Sequence, residues 1–149
     1  AASDVYKRQA ELEATQASVK RMREAGIRVL VGGDYGLNIT PHGTYAKELQ
    51  YFTDYFGFSP GEALQAATKH GGEAFMPDGS LGTLEAGKIA DMVIVKGNPL
   101  EQIGVLQDAD AIAAVIKEGQ IYTGLLDNQS PHQKNAEQLN QLLGARPCN

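Results

Sequence analysis

Residues 23–36 read REAGIRVLVGGDYG, and this stretch decides the fold prediction. Residues 10–25 contain only good or tolerable helix formers, and Gly26 follows where a helix C-cap is expected. The run from Ile27 to Val31 is short and rich in β-branched residues, which is typical of a buried strand. A helix, a tight turn and a strand in this order predict the αβ step of a parallel α/β architecture.

The expected strand runs directly into a glycine-rich turn that carries an acidic residue. Gly32, Gly33 and Gly36 surround Asp34, so the backbone can turn sharply at the carboxyl end of the strand. In parallel α/β folds, catalytic and binding residues collect at that end. Asp34 is therefore the leading candidate for chemistry, although Gly-Asp-Tyr-Gly is also an ordinary turn sequence.

Two further helices and a β-rich unit are predicted after this turn. The first helix runs from about Thr44, as its N-cap, to Phe56, along an apolar stripe with helical spacing. The second opens at residues 59–62 (SPGE), which have the spacing of a capping box, and continues to about residue 74. Beyond it, glycine and proline separate two short strands, at 92–95 and 111–116, and a two-residue hairpin turn follows at 118–119.

Composition excludes several classes of function. Thirteen Lys and Arg against eighteen Asp and Glu give a net charge of -5. This balance disfavours a nucleic-acid surface or an acidic-membrane surface, since both need clustered basic residues. No apolar run approaches the ~20 residues of a membrane helix. The single cysteine, Cys148, excludes a disulfide framework and a Cys-based zinc site within this chain.

The first nine residues, AASDVYKRQ, differ in character from the rest of the chain and resemble translated sequencing-adapter sequence. We interpret residues 1–9 as a non-native leader, with an ordinary exposed helix start as the alternative. No signal-peptide pattern is visible, so we expect a cytoplasmic protein. The true N-terminus is expected to lie outside this chain, and this limits what the missing pattern indicates.

Five segments, taken in order, match one family pattern. The most specific is LGTLEAGKIADMVIV at 81–95, which fits G-x-[IL]-x-x-G-x-x-A-D-[LM]-V. The others are residues 23–34, 41–48, 59–68, and 97–100 together with the closing hairpin at 115–121. Over roughly residues 15–125, the chain resembles the C-terminal end of the amidohydrolase superfamily, in particular its imidazolonepropionase-like and peptidase-like members.

The resemblance implies a fragment of a longer enzyme. Family members are α/β proteins, (β/α)8 (TIM) barrels with a small β-sandwich domain built from both chain ends. On this basis residues 10–76 are the last helix–strand–helix portion of the catalytic barrel. Residues 77–126 are the C-terminal part of the small β domain, and residues 127–149 are a polar tail.

The resemblance also implies a divalent metal centre, with zinc the expected ion and one or two ions in the full-length parent protein. Family members take ligands from a His-x-His pair, from further His residues, often from a carboxylated Lys, and from an Asp on the last strand. Only that Asp is matched here, by Asp34, and no His-x-His occurs. Its implied roles are metal ligand and acceptor of a proton from the water that attacks an amide, peptide or cyclic amide bond. Because one carboxylate cannot hold a catalytic zinc, we expect the isolated chain to be inactive.

Other polar residues around the turn are candidates for substrate binding, each with a structural alternative. His42, Tyr35 and Thr44 could line the same mouth, but His42 could equally be a solvent-facing loop residue and Thr44 a helix N-cap. Glu48 is expected on the surface or stabilising its helix, with orientation of His42 as a further option. Asp91 is interpreted as structural, fixing the turn that precedes it.

Two other classes of function stay open beside the hydrolase. One is a free-standing module whose glycine turn binds an anion or small molecule, although residues 32–36 lack both phosphate-binding glycine patterns. The other is a non-catalytic assembly module. For the hydrolase, we expect a small-molecule amide or peptide as partner and neither nucleic acid nor membrane, and a homo-oligomeric parent stays open.

Overall fold

The computed structural model describes residues 2–122, with side chains from residue 5 onward. Helix α1 spans Ala2–Glu24, and Gly26 follows it with a left-handed φ of 72°. The helix begins earlier than the predicted start at residue 10 and includes most of the stretch interpreted as a leader. A helical conformation does not distinguish a native start from an added one, so the leader stays a prediction.

The predicted strand at residues 27–31 is wrong as a strand in this structure. A strand needs a neighbour that shares ladder hydrogen bonds, and no described residue pairs with this segment. Val29 and Val31 pack against the helical core, whereas Ile27 is 55% exposed and Leu30 is 41% exposed. The segment therefore has one partly covered face and no sheet around it, so the prediction that it is buried is wrong as well.

Helix α2 spans Lys47–Phe56 and begins later than predicted, because Thr44 does not cap it. Ala46 occupies the N-cap position without a side-chain hydrogen bond. Thr44 instead donates from Oγ1 to the carbonyl of Pro41 at 2.7 Å. The C-terminal end agrees with the prediction, since Gly57 adopts a left-handed φ of 68°.

A single apolar core holds α2 against the helices that come after it. Leu49 and Phe52 lie on the predicted stripe and are buried, while Tyr45 at its start is half exposed. Full burial of a Leu or Phe side chain stabilises a protein by roughly 1.5–3 kcal/mol, so these two residues anchor α2 firmly. The buried members of this core are Leu49, Phe52, Ala63, Ala66 and Ile103.

Helix α3 spans Pro60–Gln65 and starts with the predicted capping box. Ser59 Oγ accepts from the backbone N–H of Glu62 at 3.2 Å, and the Glu62 carboxylate accepts from the Ser59 N–H at 2.8 Å. Arg23 of α1 donates to Glu62 Oε1 at 2.8 Å and to the Gly57 carbonyl at 2.6 Å. The cap therefore also ties α1 to the helical core.

The helix predicted to run to residue 74 changes its hydrogen-bonding pattern part-way. A π-helical turn at Ala66–His70 follows α3, and α4 spans Gly71–Phe75. The backbone of residues 81–82 packs closely against α4. A Cβ on Gly72 would lie 2.6 Å from the Leu81 carbonyl oxygen and 2.7 Å from Gly82 Cα. This backbone-to-backbone packing requires glycine at position 72.

The C-terminal half of the described chain forms a three-stranded antiparallel sheet with the order β1–β2–β3. Strand β1 is Met92–Val95, β2 is Ile112–Lys117 and β3 is Gln120–Ile121. The predicted turn joins β2 to β3, and both of its residues, Glu118 and Gly119, have positive φ, as a type I′ hairpin turn requires. A short 3-10 helix, Ile103–Gln107, lies between β1 and β2.

Asp91 has a structural role, although at a different turn from the one predicted. Its Oδ1 accepts a hydrogen bond from the backbone N–H of Glu118 at 2.7 Å. The carboxylate therefore fixes the β2–β3 hairpin, 27 residues along the chain, rather than the turn that precedes it.

Among residues 2–122, no helix combines the length and the apolar character needed to cross a membrane. The predicted tail at 127–149, and the last residues of the predicted β unit, lie outside the described residues. The division of the chain into a barrel portion and a β portion stays a prediction.

Candidate functional site

Asp34 is exposed and lies three residues beyond the segment 27–31, on the loop before α2. Its backbone carbonyl accepts a hydrogen bond from Thr40 Oγ1 at 2.6 Å. Within the same loop, the N–H of Gly36 donates to the Thr40 carbonyl at 2.8 Å, and the Thr40 N–H donates to Leu37 at 3.1 Å. Asp34 is therefore held at the base of a closed loop, with its carboxylate open to solvent.

The loop folds back so that His42 lies beside the glycine turn. Gly36 has a φ of 109°, and a Cβ at this position would lie 3.0 Å from His42 Nε2. Both facts favour glycine at position 36, because a side chain would be strained and would push the imidazole away. The turn thus places the imidazole of His42 against Gly36, two positions after Asp34.

Tyr45 contacts His42, and Tyr35 packs on Tyr45. His42 Nδ1 shares a hydrogen bond of 2.6 Å with the hydroxyl of Tyr45. The rings of Tyr35 and Tyr45 pack edge to face, with centroids 4.5 Å apart, and the Tyr35 hydroxyl donates to the Tyr45 carbonyl at 3.4 Å. Tyr35 and His42 are therefore linked through Tyr45. The sequence does not mark Tyr45 as a site residue, because its spacing fits the apolar stripe predicted for α2.

Glu48 also faces this turn. Its predicted roles were to stabilise its helix or to orient His42, and neither includes the contact that the structure shows. Its Oε1 accepts from the backbone N–H of Gly32 at 3.1 Å. Burial, and then the negative charge of Glu48, raise the pKa of the Tyr35 phenol above its ordinary value. No local sequence signal reports a contact between residues 16 positions apart on a loop and a helix.

Thr44 is the third residue predicted to bind substrate, and it lies on the same loop. No described hydrogen bond joins its side chain to Tyr35, His42 or Tyr45. Its hydroxyl closes the turn at Pro41. The described contacts of Thr44 are structural, and a role in binding substrate stays a prediction.

The described residues do not form a metal centre by themselves. Across residues 2–122, no three His, Cys, Asp or Glu side chains converge on a point that could hold a metal ion. A catalytic zinc takes three protein ligands and one open position. The exposed carboxylate of Asp34 has the right chemistry for one of those ligands, so this part of the chain fits a metal only as a contributor to a shared site.

An anion cradle at the glycine turn would have to do without two of the turn's backbone N–H groups. Such a site needs successive backbone N–H groups that point at the ligand. Here the N–H of Gly32 donates to Glu48, and the N–H of Gly36 donates to Thr40. A carboxylate already facing the turn would also repel an incoming anion. This geometry counts against the anion-binding module.

Comparison with known proteins identifies relatives over most of the chain. The sequence profile of the amidohydrolase family matches residues 3–122. Ochratoxinase of Aspergillus niger is 35% identical over 114 residues, which is 76% of this chain and 22% of that protein. Imidazolonepropionase of Symbiobacterium thermophilum is 31% identical over 110 residues, which is 74% of this chain and 26% of that protein.

The structural comparison agrees. A crystal structure of a Xaa-Pro dipeptidase with methionine bound in its active site matches with a TM-score of 0.63 and 34% identity. The match covers 73% of this chain and 25% of the dipeptidase chain. The chain therefore spans about a quarter of the length of its relatives. The predicted fold class, part of a (β/α)8 barrel followed by a small β unit, is confirmed, and the chain belongs to the amidohydrolase family.

Proposed function

We propose that this chain supplies the segment 27–31, which would pair as the last barrel strand in the full-length parent, and the adjoining β unit of a metal-dependent hydrolase that cleaves an amide, peptide or cyclic amide C–N bond. The observation that carries the proposal is the exposed carboxylate of Asp34, three residues beyond the segment 27–31 and inside the family match. The names of the relatives, an ochratoxinase, an imidazolonepropionase and a Xaa-Pro dipeptidase, support a hydrolytic reaction.

Asp34 has two roles in this proposal. Its carboxylate would hold one coordination position of a divalent metal, with zinc the expected ion, and the other ligands would come from residues outside 2–122. The metal would supply Lewis-acid catalysis and lower the pKa of water towards ~7. Asp34 then accepts the proton of the attacking water and passes it to the leaving nitrogen, as a positioned carboxylate does in general acid–base catalysis.

His42 and Tyr35 are proposed to bind substrate beside Asp34, with Thr44 on the same loop. The Nδ1 of His42 is already engaged by Tyr45, so Nε2 is the ring nitrogen that is left to meet a substrate carbonyl or carboxylate. Because Nε2 lies over Gly36, a group bound there sits next to the turn that carries Asp34. The substrate is a small-molecule amide or peptide.

The first experiment measures zinc binding and amide hydrolysis by the 149-residue chain. With a single carboxylate ligand, the chain is expected to bind Zn²⁺ weakly in isothermal titration and to hydrolyse no amide substrate. Metal-dependent turnover by the chain alone would contradict the view that it holds only part of the site.

The second experiment supplies the rest of the site. The 114 residues of A. niger ochratoxinase that align with this chain are replaced by the corresponding residues of this chain. The chimera is expected to retain bound metal and to hydrolyse the ochratoxinase substrate. A shorter exchange, confined to residues 27–48, tests the same point if the longer exchange does not fold. A folded chimera that binds metal but lacks activity would contradict the proposal.

A further inference from the structure

The side chain of Glu48 reaches across to the glycine turn from the first turn of α2. Its Oε1 accepts from the Gly32 N–H at 3.1 Å. Its Oε2 would lie 3.0 Å from a Cβ at position 33, so the second oxygen also lies over the turn. Both carboxylate oxygens therefore approach the two glycines that precede Asp34.

Helix α2 gives this carboxylate a rigid base. Leu49, the next residue along, is 8% exposed and Phe52 is 5% exposed, and both belong to the apolar core. Glu48 itself is only half-buried, so its oxygens reach the loop while its backbone is fixed to the core. A contact made from a packed helix restrains a loop more tightly than one made from another loop.

The Tyr35 ring lies over Gly33 on the same side as the Glu48 carboxylate. A Cβ on Gly33 would collide with the Tyr35 ring, which itself packs on Tyr45. One side of the backbone immediately before Asp34 is thus covered by the Glu48 carboxylate and the Tyr35 ring. The side chain of Asp34 is exposed, so these neighbours act on its backbone rather than on its carboxylate.

We propose that Glu48 is a positioning residue, which fixes the direction of the Asp34 carboxylate by holding the Gly32–Gly33 backbone against α2. The inference rests on the proposed function of Asp34. Glu48 touches neither the substrate nor the reacting atoms. Its contribution is orientation: a misplacement of about 1 Å at a reacting group can lower a rate by about 100-fold.

The first test uses the 149-residue chain and nuclear magnetic resonance. Glu48→Ala is expected to raise the amide exchange rate of Gly32 about tenfold and to lower the backbone order parameter of Asp34. Glu48→Gln keeps an oxygen that can accept from the Gly32 N–H, so it should restore both values. Glu11→Ala, an exposed site on α1, is the matched control and should change neither. Unchanged values in Glu48→Ala would overturn the inference.

The second test uses the ochratoxinase chimera. Glu48→Ala should lower kcat roughly 10- to 100-fold, with KM and metal content unchanged, and Glu48→Gln should recover most of kcat. A merely structural residue would lower the melting temperature and leave the kcat of the folded protein unchanged, which would overturn the inference. Activity that survives Asp34→Asn would instead overturn the proposed function. Loss of activity in Asp34→Asn with normal kcat in Glu48→Ala would overturn only the positioning role.

Discussion

The backbone carbonyl of Asp34 accepts a hydrogen bond of 2.6 Å from the hydroxyl of Thr40, which closes the loop that comes after the candidate catalytic carboxylate. On the other side of Asp34, the N–H of Gly32 is bound by Glu48. The position of Asp34 is therefore fixed from both sides by side chains, although its own carboxylate is exposed. Replacing either side chain should move Asp34 without removing it.

Thr40→Val tests the contact on the C-terminal side, because valine keeps the shape of threonine and removes its hydroxyl. We expect a loss of about 1 kcal/mol in the free energy of unfolding, since one hydrogen bond to a solvent-accessible carbonyl is lost. Amide chemical shifts should change mainly at residues 34–40. Thr15→Val is the matched control: it removes a hydroxyl–carbonyl bond on the exposed face of α1, and the shifts of this loop should stay the same. If both variants changed the amide shifts of residues 34–40 equally, the hydrogen bond from Thr40 to the Asp34 carbonyl would be contradicted.

Ser59→Ala tests the capping box that opens α3. Ser59 supplies the oxygen that accepts from the Glu62 N–H, so its loss should reduce the free energy of unfolding by about 1 kcal/mol in a denaturant titration. Thr83→Ala removes a hydroxyl from a loop outside any helix cap and provides the comparison. A variant at 59 as stable as the parent chain would mean that the cap contributes nothing.

The same cap predicts a pH dependence. Hydrogen bonds from the backbone and side chain of Ser59 hold the pKa of Glu62 below its ordinary value, and the hydrogen bond and positive charge of Arg23 add to this effect. A lowered folded-state pKa adds stability that is fully present above the unfolded-state value of about 4.3 and is lost as the pH falls through the folded-state value. Glu62→Gln should therefore destabilise the chain at pH 7 and lose this effect in acid. If the difference in unfolding free energy between Glu62→Gln and the parent chain did not change between pH 7 and pH 3, the lowered pKa of Glu62 would be contradicted.

Two adjacent glycines of α4 should respond differently to alanine. A Cβ on Gly72 would meet the backbone of residues 81 and 82 at 2.6–2.8 Å, where no flexible side chain can move away. Gly72→Ala should cost at least 1–3 kcal/mol in the free energy of unfolding. A Cβ on Gly71 would make an ordinary contact of 3.6 Å, so Gly71→Ala should be neutral or stabilising. Thermal melts of both variants check the difference, and equal melting temperatures would contradict the close crossing.

Local signals in the sequence predicted local structure well. The capping box at 59–62 and the hairpin turn at 118–119 are confirmed because each depends on residues within one turn of chain. The strand predicted at 27–31 is wrong here because strand formation depends on a partner, and a β-branched run does not report whether one is present. The π-helical turn at Ala66–His70 was missed because nothing in the sequence pattern signals a change in helical hydrogen bonding.

The candidate site was predictable only in part. A glycine-rich turn and a family pattern predict Asp34 and His42 as site residues, and the structure places His42 beside Gly36, two positions after Asp34. The contacts made by Tyr45 and Glu48 were missed, because both residues lie in a stretch with helical spacing and their partners are distant or lie on the loop. Helical periodicity predicts which face is buried, not which polar side chain reaches a neighbouring turn.

The measurement that tests the central claim most directly is the effect of Asp34→Asn in the ochratoxinase chimera, read as hydrolysis rate and bound metal. We predict that the variant loses more than about 100-fold in kcat and also loses metal, because an amide cannot accept the proton and is a weaker ligand than a carboxylate. Asp110→Asn, at an exposed aspartate before β2, should leave both values unchanged. Full activity and full metal content in Asp34→Asn would contradict the assignment of Asp34 as metal ligand and proton acceptor.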